Sequence, residues 1–343
     1  MQVALIGVGM VARTHVEALA ATDGEVSLRG VLAAHPERAA GFAEDVAPIC
    51  GAAPLVYQDV AQIAGDDAVD FVLLCTPPNA RMEIVQTLTR AGKPILMEKP
   101  VERDSVAAEE IVTLCEAAGV PLGVVFQHRC REASQRAAAL VAEGALGRIA
   151  LVEVAVPWWR PQAYYDEPGR GTYARDGGGV LISQAIHTLD LMLSLTGPVR
   201  RVQAMARTTG LHRMESEDFV SAGMEFASGA VGSLVASTAS YPGSAEYIVL
   251  HGEAGSLRLE SGIVTLDWQD GRRETIGAPA AGTGGGADPM AFTHAWHQGV
   301  IEDFADALKT GRAPLVTGRE ALTVHRLIDA LVRSSREGQA VDL

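Results

Sequence analysis

Three clusters of residues have the types and spacing for chemistry. Near the amino terminus, Gly7-Val8-Gly9-Met10-Val11-Ala12 forms a G-x-G-x-x-A turn between an apolar run and a stretch of helical periodicity. In that setting Gly7 permits the tight turn, Gly9 lets the backbone approach a pyrophosphate, and Ala12 lets the helix close on the strand. The helix opening there, with Met10 and Val11 at its start, aims unsatisfied N–H groups and a positive dipole end at the same place. The second cluster is "MEKP" (97–100), which puts Glu98 and Lys99 at the carboxyl end of an apolar strand. Open α/β sheets place their ligands at that edge. An ammonium there favours deprotonation of a substrate hydroxyl, and desolvation draws its own pKa toward neutrality. The third is "RDGGGVLISQAIHTLDLML" (175–193), where three glycines lead into an apolar-periodic helix carrying His187 and Asp190. A lone helical histidine is ordinarily a packing residue. Preceded by three glycines, in a chain that also has a strand-end lysine, His187 reads as a proton-handling group.

These groups need a frame, and the first 126 residues supply its pattern. "QVALIG", "SLRGVLA", "AVDFVLLC", "KPILMEKP" and "VPLGVVF" read as strands, separated by the helix-like runs "MVARTHVEALAAT", "PERAAGFAEDV", "RMEIVQTLTRAG" and "DSVAAEEIVTLCEAAG". Nearly unbroken apolar strands between helices predict a parallel sheet covered on both faces, a doubly wound Rossmann domain over residues 1–126. "CTPPN" (75–79) ends one strand at the ligand edge, so Thr76, Pro77 and Asn79 are expected to border a dinucleotide's ribose and pyrophosphate. The second strand should end in a carboxylate if the cofactor is NAD, since an acid there holds the ribose 2′-hydroxyl. Ala33 occupies that place, with His35 and Arg38 following, which leans the reading from NAD toward NADP.

After residue 126 the rhythm changes. A helix-like "EASQRAAALVAEG" precedes the alternating strand "RIALVEVAVPWW", and residues 199–276 hold six further strand candidates with hairpin signals such as "ASGA" and "GEAG" between them. Residues 127–343 are therefore expected to form an α+β domain with one large, mostly antiparallel sheet, helices on one face, and the other face open to a second subunit. "GAPAAGTGGGADP" (277–289) reads as a flexible loop, and two helices fill the tail. His294 and His297 there have ligand-like spacing, but without a third ligand they read as packing or pocket rim, and no metal is expected.

Composition narrows the classes. At 343 residues, 48% hydrophobic and 20% charged, the chain is long enough for two cores and too apolar for disorder. A net charge of -14 argues against nucleic acid and anionic membrane surfaces as partners. Cys50, Cys75, Cys115 and Cys130 have no paired spacing and read as reduced residues of a cytoplasmic protein.

"ALIGVGMVARTHVEAL", "CTPPNARMEIVQTLTRAGKPILMEKPV", "GGGVLISQAIHTLDLMLSLTGPV" and the tail from residue 303 together resemble the glucose–fructose oxidoreductase/inositol dehydrogenase/MocA (Gfo/Idh/MocA) family. The resemblance covers nearly the whole chain. It implies NAD or NADP, hydride transfer on a sugar-like alcohol or ketone, and a homodimer or homotetramer formed through the open sheet. It makes Lys99 and His187 the catalytic pair, and it places Gln127, Arg160, Tyr165, Gln184, His187 and Asp190 in the substrate-binding set. The chain departs from the family at Ser183, where many members have aspartate, and at Arg81, commonly histidine. Two other classes share the architecture: a dinucleotide-sensing regulator without catalysis, and a dihydrodiol- or biliverdin-type reductase. The second would need an aromatic-rich pocket, and only 5% of this chain is aromatic.

Overall fold

The computed structural model describes residues 1–278 and 285–343. The middle of the expected 277–289 loop, residues 279–284, lies outside the described residues. Packing divides the chain into two units. The first holds Met1–Glu102, Val106–Gln127 and Thr293–Leu322, and the second holds Arg103–Ser105, His128–Phe292 and Thr323–Leu343.

The first unit is a six-stranded parallel sheet. Its strands are β1 (Gln2–Ile6), β2 (Ser27–Leu32), β3 (Leu55–Val56), β4 (Phe71–Leu74), β5 (Ile95–Glu98) and β6 (Leu122–Val125). They lie in the order β3-β2-β1-β4-β5-β6, the doubly wound order of dinucleotide-binding folds. Every residue of β4, β5 and β6 is buried, as the continuous apolar runs require of strands covered on both faces. Helices α1 (Ala12–Ala20), α2 (Pro36–Cys50), α3 (Val60–Ala64), α4 (Met82–Arg90) and α5 (Ser105–Ala117) connect them. The short β3 and α3 had no counterpart in the sequence reading. Asp59 caps α3 by accepting from the Gln62 N–H at 2.8 Å.

Register positions the ligand edge. Ile6 pairs with Leu74, and Leu74 with Met97, so β1, β4 and β5 end level. Gly7, Cys75–Asn79 and Glu98–Lys99 therefore emerge side by side. The tail segment 293–322 completes this unit. Its helix lies against α1 and sets the Phe304 ring 5.2 Å from that of Phe71. Beyond it, Val316 accepts from the Val124 N–H of edge strand β6 at 3.0 Å.

The second unit opens with α6 (Glu132–Ala142), β7 (Ile149–Pro157), a single turn α7 (Gln162–Tyr165) and α8 (Ile186–Thr196). Strands β8 (Val199–Arg207), β9 (Phe219–Phe226), β10 (Val231–Ser237), β11 (Tyr247–Gly252), β12 (Gly255–Glu260), β13 (Ile263–Trp268) and β14 (Arg273–Gly277) follow. The tail helix of the first unit is α9 (Ala295–Thr310), and α10 (Gly318–Glu337) and β15 (Val341–Asp342) end the chain. The nine strands run β14-β13-β12-β11-β7-β10-β9-β8-β15. All neighbours are antiparallel except β7 and β10, which pair in parallel with Val154 opposite Leu234. The hairpins expected at "ASGA" and "GEAG" join β9 to β10 and β11 to β12.

Helix α8 lies on β7 and β11, and α6 on β12 to β14. Alternation along β10 buries Leu234 and Ala236 while leaving Val231 and Val235 exposed. Register puts Leu151 of β7 and Met205 of β8 on that same open face, both exposed.

Candidate functional site

In the first unit the glycine turn has the form its motif predicts. Gly7 has φ +100°, and a Cβ there would stand 2.8 Å from the Cys75 carbonyl carbon. Glycine is thus demanded both by backbone conformation and by the closeness of the neighbouring strand end. A Cβ at Gly9, by contrast, would meet nothing within 4 Å. Val11 precedes α1 without a side-chain cap, and of the first helical N–H groups that of Ala12 donates to the Gly9 carbonyl at 3.1 Å. The Thr76 hydroxyl is buried and has no hydrogen-bond partner among the described residues. Pro77 and Asn79 are exposed beside it, as is Met10. An open glycine, an uncapped helix start and an orphaned hydroxyl on one edge fit a dinucleotide's pyrophosphate and ribose.

At the end of β2, His35 and Arg38 are exposed. Glu37 stands near them, its carboxylate 3.9 Å from His35 Nδ1.

Arg81 lies within the framework of this edge. Its side chain is 1% exposed. Nε and Nη2 donate to the Thr76 carbonyl at 3.1 and 2.7 Å, and Nη1 to the Glu98 carbonyl at 2.5 Å. Nη1 also reaches the carbonyls of Pro100 and Val101. One guanidinium therefore ties the end of β4 to the loop that carries Lys99. Burial pulls it down to about 10, with Glu98 the first charge opposing that.

Lys99 is half-buried, and its N–H donates to Glu98 Oε2 at 3.1 Å. The other carboxylate oxygen of Glu98 is 2.7 Å from His15 Nε2 and 3.8 Å from His297 Nε2. The two imidazoles meet edge to face, centroids 4.8 Å apart. Gln127, at the end of this unit's middle segment, is 7% exposed, and its amide oxygen has no partner among the described residues.

The second unit holds the histidine helix. Residues Leu181–Ala185 form a π-helical turn that runs into α8. Such turns add a residue to the helix and recur at functional sites. Glu217 anchors the entry: its carbonyl accepts from Val180 N–H at 2.8 Å and its carboxylate from Leu181 N–H at 3.1 Å. A Cβ on Gly179 would fall on the Glu217 carbonyl. The third glycine of the triplet thus serves close packing. Burial raises the Glu217 carboxyl, against the pull of backbone donors.

His187 is 5% exposed and stacks on His128, ring centroids 4.8 Å apart at 23°. Arg131 Nη2 lies 2.5 Å from His128 Nε2. A guanidinium can only donate, so that nitrogen accepts. Arg131 also pairs with Glu246 at 2.5 Å, and Glu246 accepts from Trp158 Nε1 at 3.1 Å. Asp190, 2% exposed, gives both carboxylate oxygens to Arg129. Gln184 donates to the Tyr164 hydroxyl at 3.3 Å and keeps a buried amide oxygen with no partner among the described residues.

Tyr165 turns its hydroxyl inward to Thr238 Oγ1 at 2.6 Å, and burial raises its pKa. Its neighbour Tyr164 is the tyrosine that touches Gln184, with Arg170 over its ring at 4.5 Å. Arg160 is 2% exposed and pinned to the Gly286 carbonyl at 2.5 Å. Sequence reasoning missed His15, His128, Tyr164 and Glu217 as site-forming residues. Only His15 carried a signal, one turn beyond Ala12 on the apolar face of α1.

These features define a dinucleotide-binding protein of the doubly wound class with a second, sheet-based domain. Residues 1–126 match the oxidoreductase family with an NAD-binding Rossmann fold, and residues 134–258 match the GFO/IDH/MocA C-terminal domain. The chain belongs to the GFO/IDH/MocA family of oxidoreductases. It is 26% identical to the D-apiose dehydrogenase of Paraburkholderia graminis, over 99% of this chain and 89% of that one. It is 24% identical to the inositol 2-dehydrogenase of Rhizobium meliloti, over 99% and 98%. Among solved structures it is similar to the WlbA dehydrogenase from Bordetella pertussis in complex with NADH and UDP-GlcNAcA. That match has a TM-score of 0.83 and 27% identity, covering 100% of this chain and 98% of the other. No described helix is long and apolar enough to cross a membrane.

Proposed function

We propose that this oxidoreductase interconverts a hydroxyl and a ketone on a sugar, polyol or sugar derivative. The observation that carries the reading is the level ending of β1, β4 and β5, which sets Lys99 on the same edge as the open glycine turn. Bound NAD or NADP would supply the hydride chemistry, and Gly9, the start of α1 and Thr76 would hold its phosphates and ribose. Lys99 offers an ammonium to the oxygen on which negative charge develops, and His187 accepts or returns the hydroxyl proton. Gln127 and Gln184 have spare buried amide oxygens for substrate hydroxyl groups. Asp190 acts through Arg129 to hold α8, and the curated dehydrogenase relatives support a sugar-like substrate.

His35 and Arg38 at the end of β2, with alanine at residue 33, favour NADP over NAD, against the Glu37 carboxylate that stands beside His35. The exposed apolar residues Leu151, Met205, Val231 and Val235 suit a homodimer or homotetramer joined through the open sheet face.

The test is direct. Thermal shift with NAD and NADP, crossed with sugars, polyols, sugar acids and nucleotide sugars, identifies the cofactor and substrate by mass action. Lys99→Ala and His187→Ala should then bind NADH or NADPH as the parent does and lose at least ~100-fold in turnover. Unimpaired turnover in both variants overturns the reading.

A further inference from the structure

A helix fixes where a histidine side chain leaves the backbone, but the χ2 torsion of an imidazole has broad wells. The plane of the His187 ring is therefore set by what packs on it. Within the second unit His128 lies flat against that ring, centroids 4.8 Å apart at 23°. It comes from the turn Gln127–Cys130 ahead of α6, and both rings are buried. The His128 ring is in turn held from behind. Arg131, at the start of α6, splits its fork: Nη2 meets His128 Nε2 and Nη1 meets Glu246 Oε1, each at 2.5 Å. Glu246, just ahead of β11, accepts from Trp158 Nε1 on its other oxygen at 3.1 Å. Because a guanidinium has only donors, His128 Nε2 keeps its lone pair and the ring proton sits on Nδ1, 4.0 Å from Glu246 Oε1. In that tautomer the ring is uncharged. Arg131 is paired with Glu246, and one turn along α8 Asp190 is paired with Arg129.

We propose that His128 is a positioning residue for His187, an uncharged platform that fixes the plane of the proton-handling imidazole, and that Arg131 and Glu246 lock the platform in one tautomer. The proposal rests on the assignment of His187 as the group that moves the hydroxyl proton. A buried Arg–Glu pair returns little stability beyond its desolvation cost; the worth of this one lies in the ring it orients. His187 then takes up its proton beside a neutral face, where an imidazolium would oppose it. Histidine suits the place because it joins a flat ring to an acceptor for Arg131. Phenylalanine supplies only the ring, and glutamine only the acceptor.

Nitrogen NMR of the full-length protein labelled with 15N-histidine reads the platform without any substrate. His128 should show a protonated Nδ1 and a bare Nε2, the minor tautomer of free histidine, and Arg131→Met should release that preference. The His187 ring protons should lie upfield, as protons over a facing ring do. That shift should persist in His128→Phe and vanish in His128→Gln. Turnover is then followed with D-apiose, inositol and each sugar that shifts the melting temperature. His128→Gln should melt close to the parent and lose at least ~10-fold in kcat with little change in KM, the mark of a misaligned group. His128→Phe leaves an Arg131 N–H without its acceptor and should melt lower, yet recover most of the lost kcat. A loss of packing alone would make kcat follow the melting temperature, and that result overturns the proposal. So does a proton on His128 Nε2, or a His187 signal unmoved in His128→Gln. A raised KM at unchanged kcat would instead mark His128 as a substrate contact and end the positioning role. If His187→Ala turns over normally while the spectra behave as described, the assignment of His187 fails and the platform stands. If His187→Ala is dead and His128→Gln is as fast as the parent, only the platform fails.

Discussion

Arg129 grips both carboxylate oxygens of Asp190, Nε to Oδ2 at 2.8 Å and Nη2 to Oδ1 at 2.7 Å. The planar fork matches the carboxylate in a two-point contact, and the Asp190 side chain is 2% exposed. The pair clamps α8 three residues beyond His187. Asp190→Ala removes both of these bonds from a largely buried guanidinium and should cost about 3 kcal/mol in urea unfolding. Replacing both residues, Arg129→Met with Asp190→Leu, should recover most of that loss. An additive double variant would show that the two side chains are not coupled.

The two glycines of the first turn should separate folding from binding. Gly7→Ala meets the Cys75 backbone and a φ of +100°, so it should lower stability by about 2 kcal/mol. Gly9→Ala has room and should leave the melting temperature of the free protein unchanged. Its methyl group enters the space assigned to the pyrophosphate, so NADH affinity, read by fluorescence titration, should fall at least ~10-fold.

Arg81→Met removes the donors that satisfy the carbonyls of Thr76, Glu98 and Pro100. Buried acceptors left without partners cost ~1–3 kcal/mol each, so unfolding free energy should drop by about 3 kcal/mol. Arg81→Lys should rescue little, because one ammonium cannot bridge two strand ends as the fork does. A lysine variant as stable as the parent would contradict the bridging role.

Acid should destabilise the protein in two stages. His297 sits at about 3 against an ordinary 6.5, because burial disfavours its charged form. Its contribution is whole above pH 6.5 and drains away as pH falls from 6.5 toward 3. Glu98 sits at about 2 against an ordinary 4.5, so its share is whole above pH 4.5 and is lost between 4.5 and 2. Urea midpoints measured from pH 8 to 4 should therefore begin to fall near pH 6.5. In His297→Gln the decline between 6.5 and 4.5 should be shallower than in the parent. Parallel curves for the two proteins would remove His297 from the account.

Much of the architecture could be read along the chain because its signals are local. Apolar runs of strand length, the helix-closing Gly119 and the turn at Gly7–Ala12 each announce themselves within a few residues. The strands β8 to β13 and their hairpins follow from alternation and turn residues in the same way. What escaped was non-local or too short. Two residues of β3 carry no periodicity, and alternation does not distinguish the parallel β7–β10 pairing from an antiparallel one. Arg81 reads as an ordinary surface charge until Thr76 and Glu98 are seen on either side of it. His15 and His297 stand near opposite ends of the sequence, so no spacing rule could join them to Glu98. Tyr165 drew attention ahead of Tyr164 because nothing in the sequence says which ring of an adjacent pair turns inward.

The return of residues 293–322 to the nucleotide-binding unit orders events during synthesis. A nascent chain that has emerged only as far as Gln127 already holds all six strands of the parallel sheet. It lacks the helix that covers α1 and the segment that hydrogen-bonds Val124 on β6. The half made first on the ribosome is thus among the last to be finished, and a fragment cut at the end of β6 would present a bare strand edge to its neighbours.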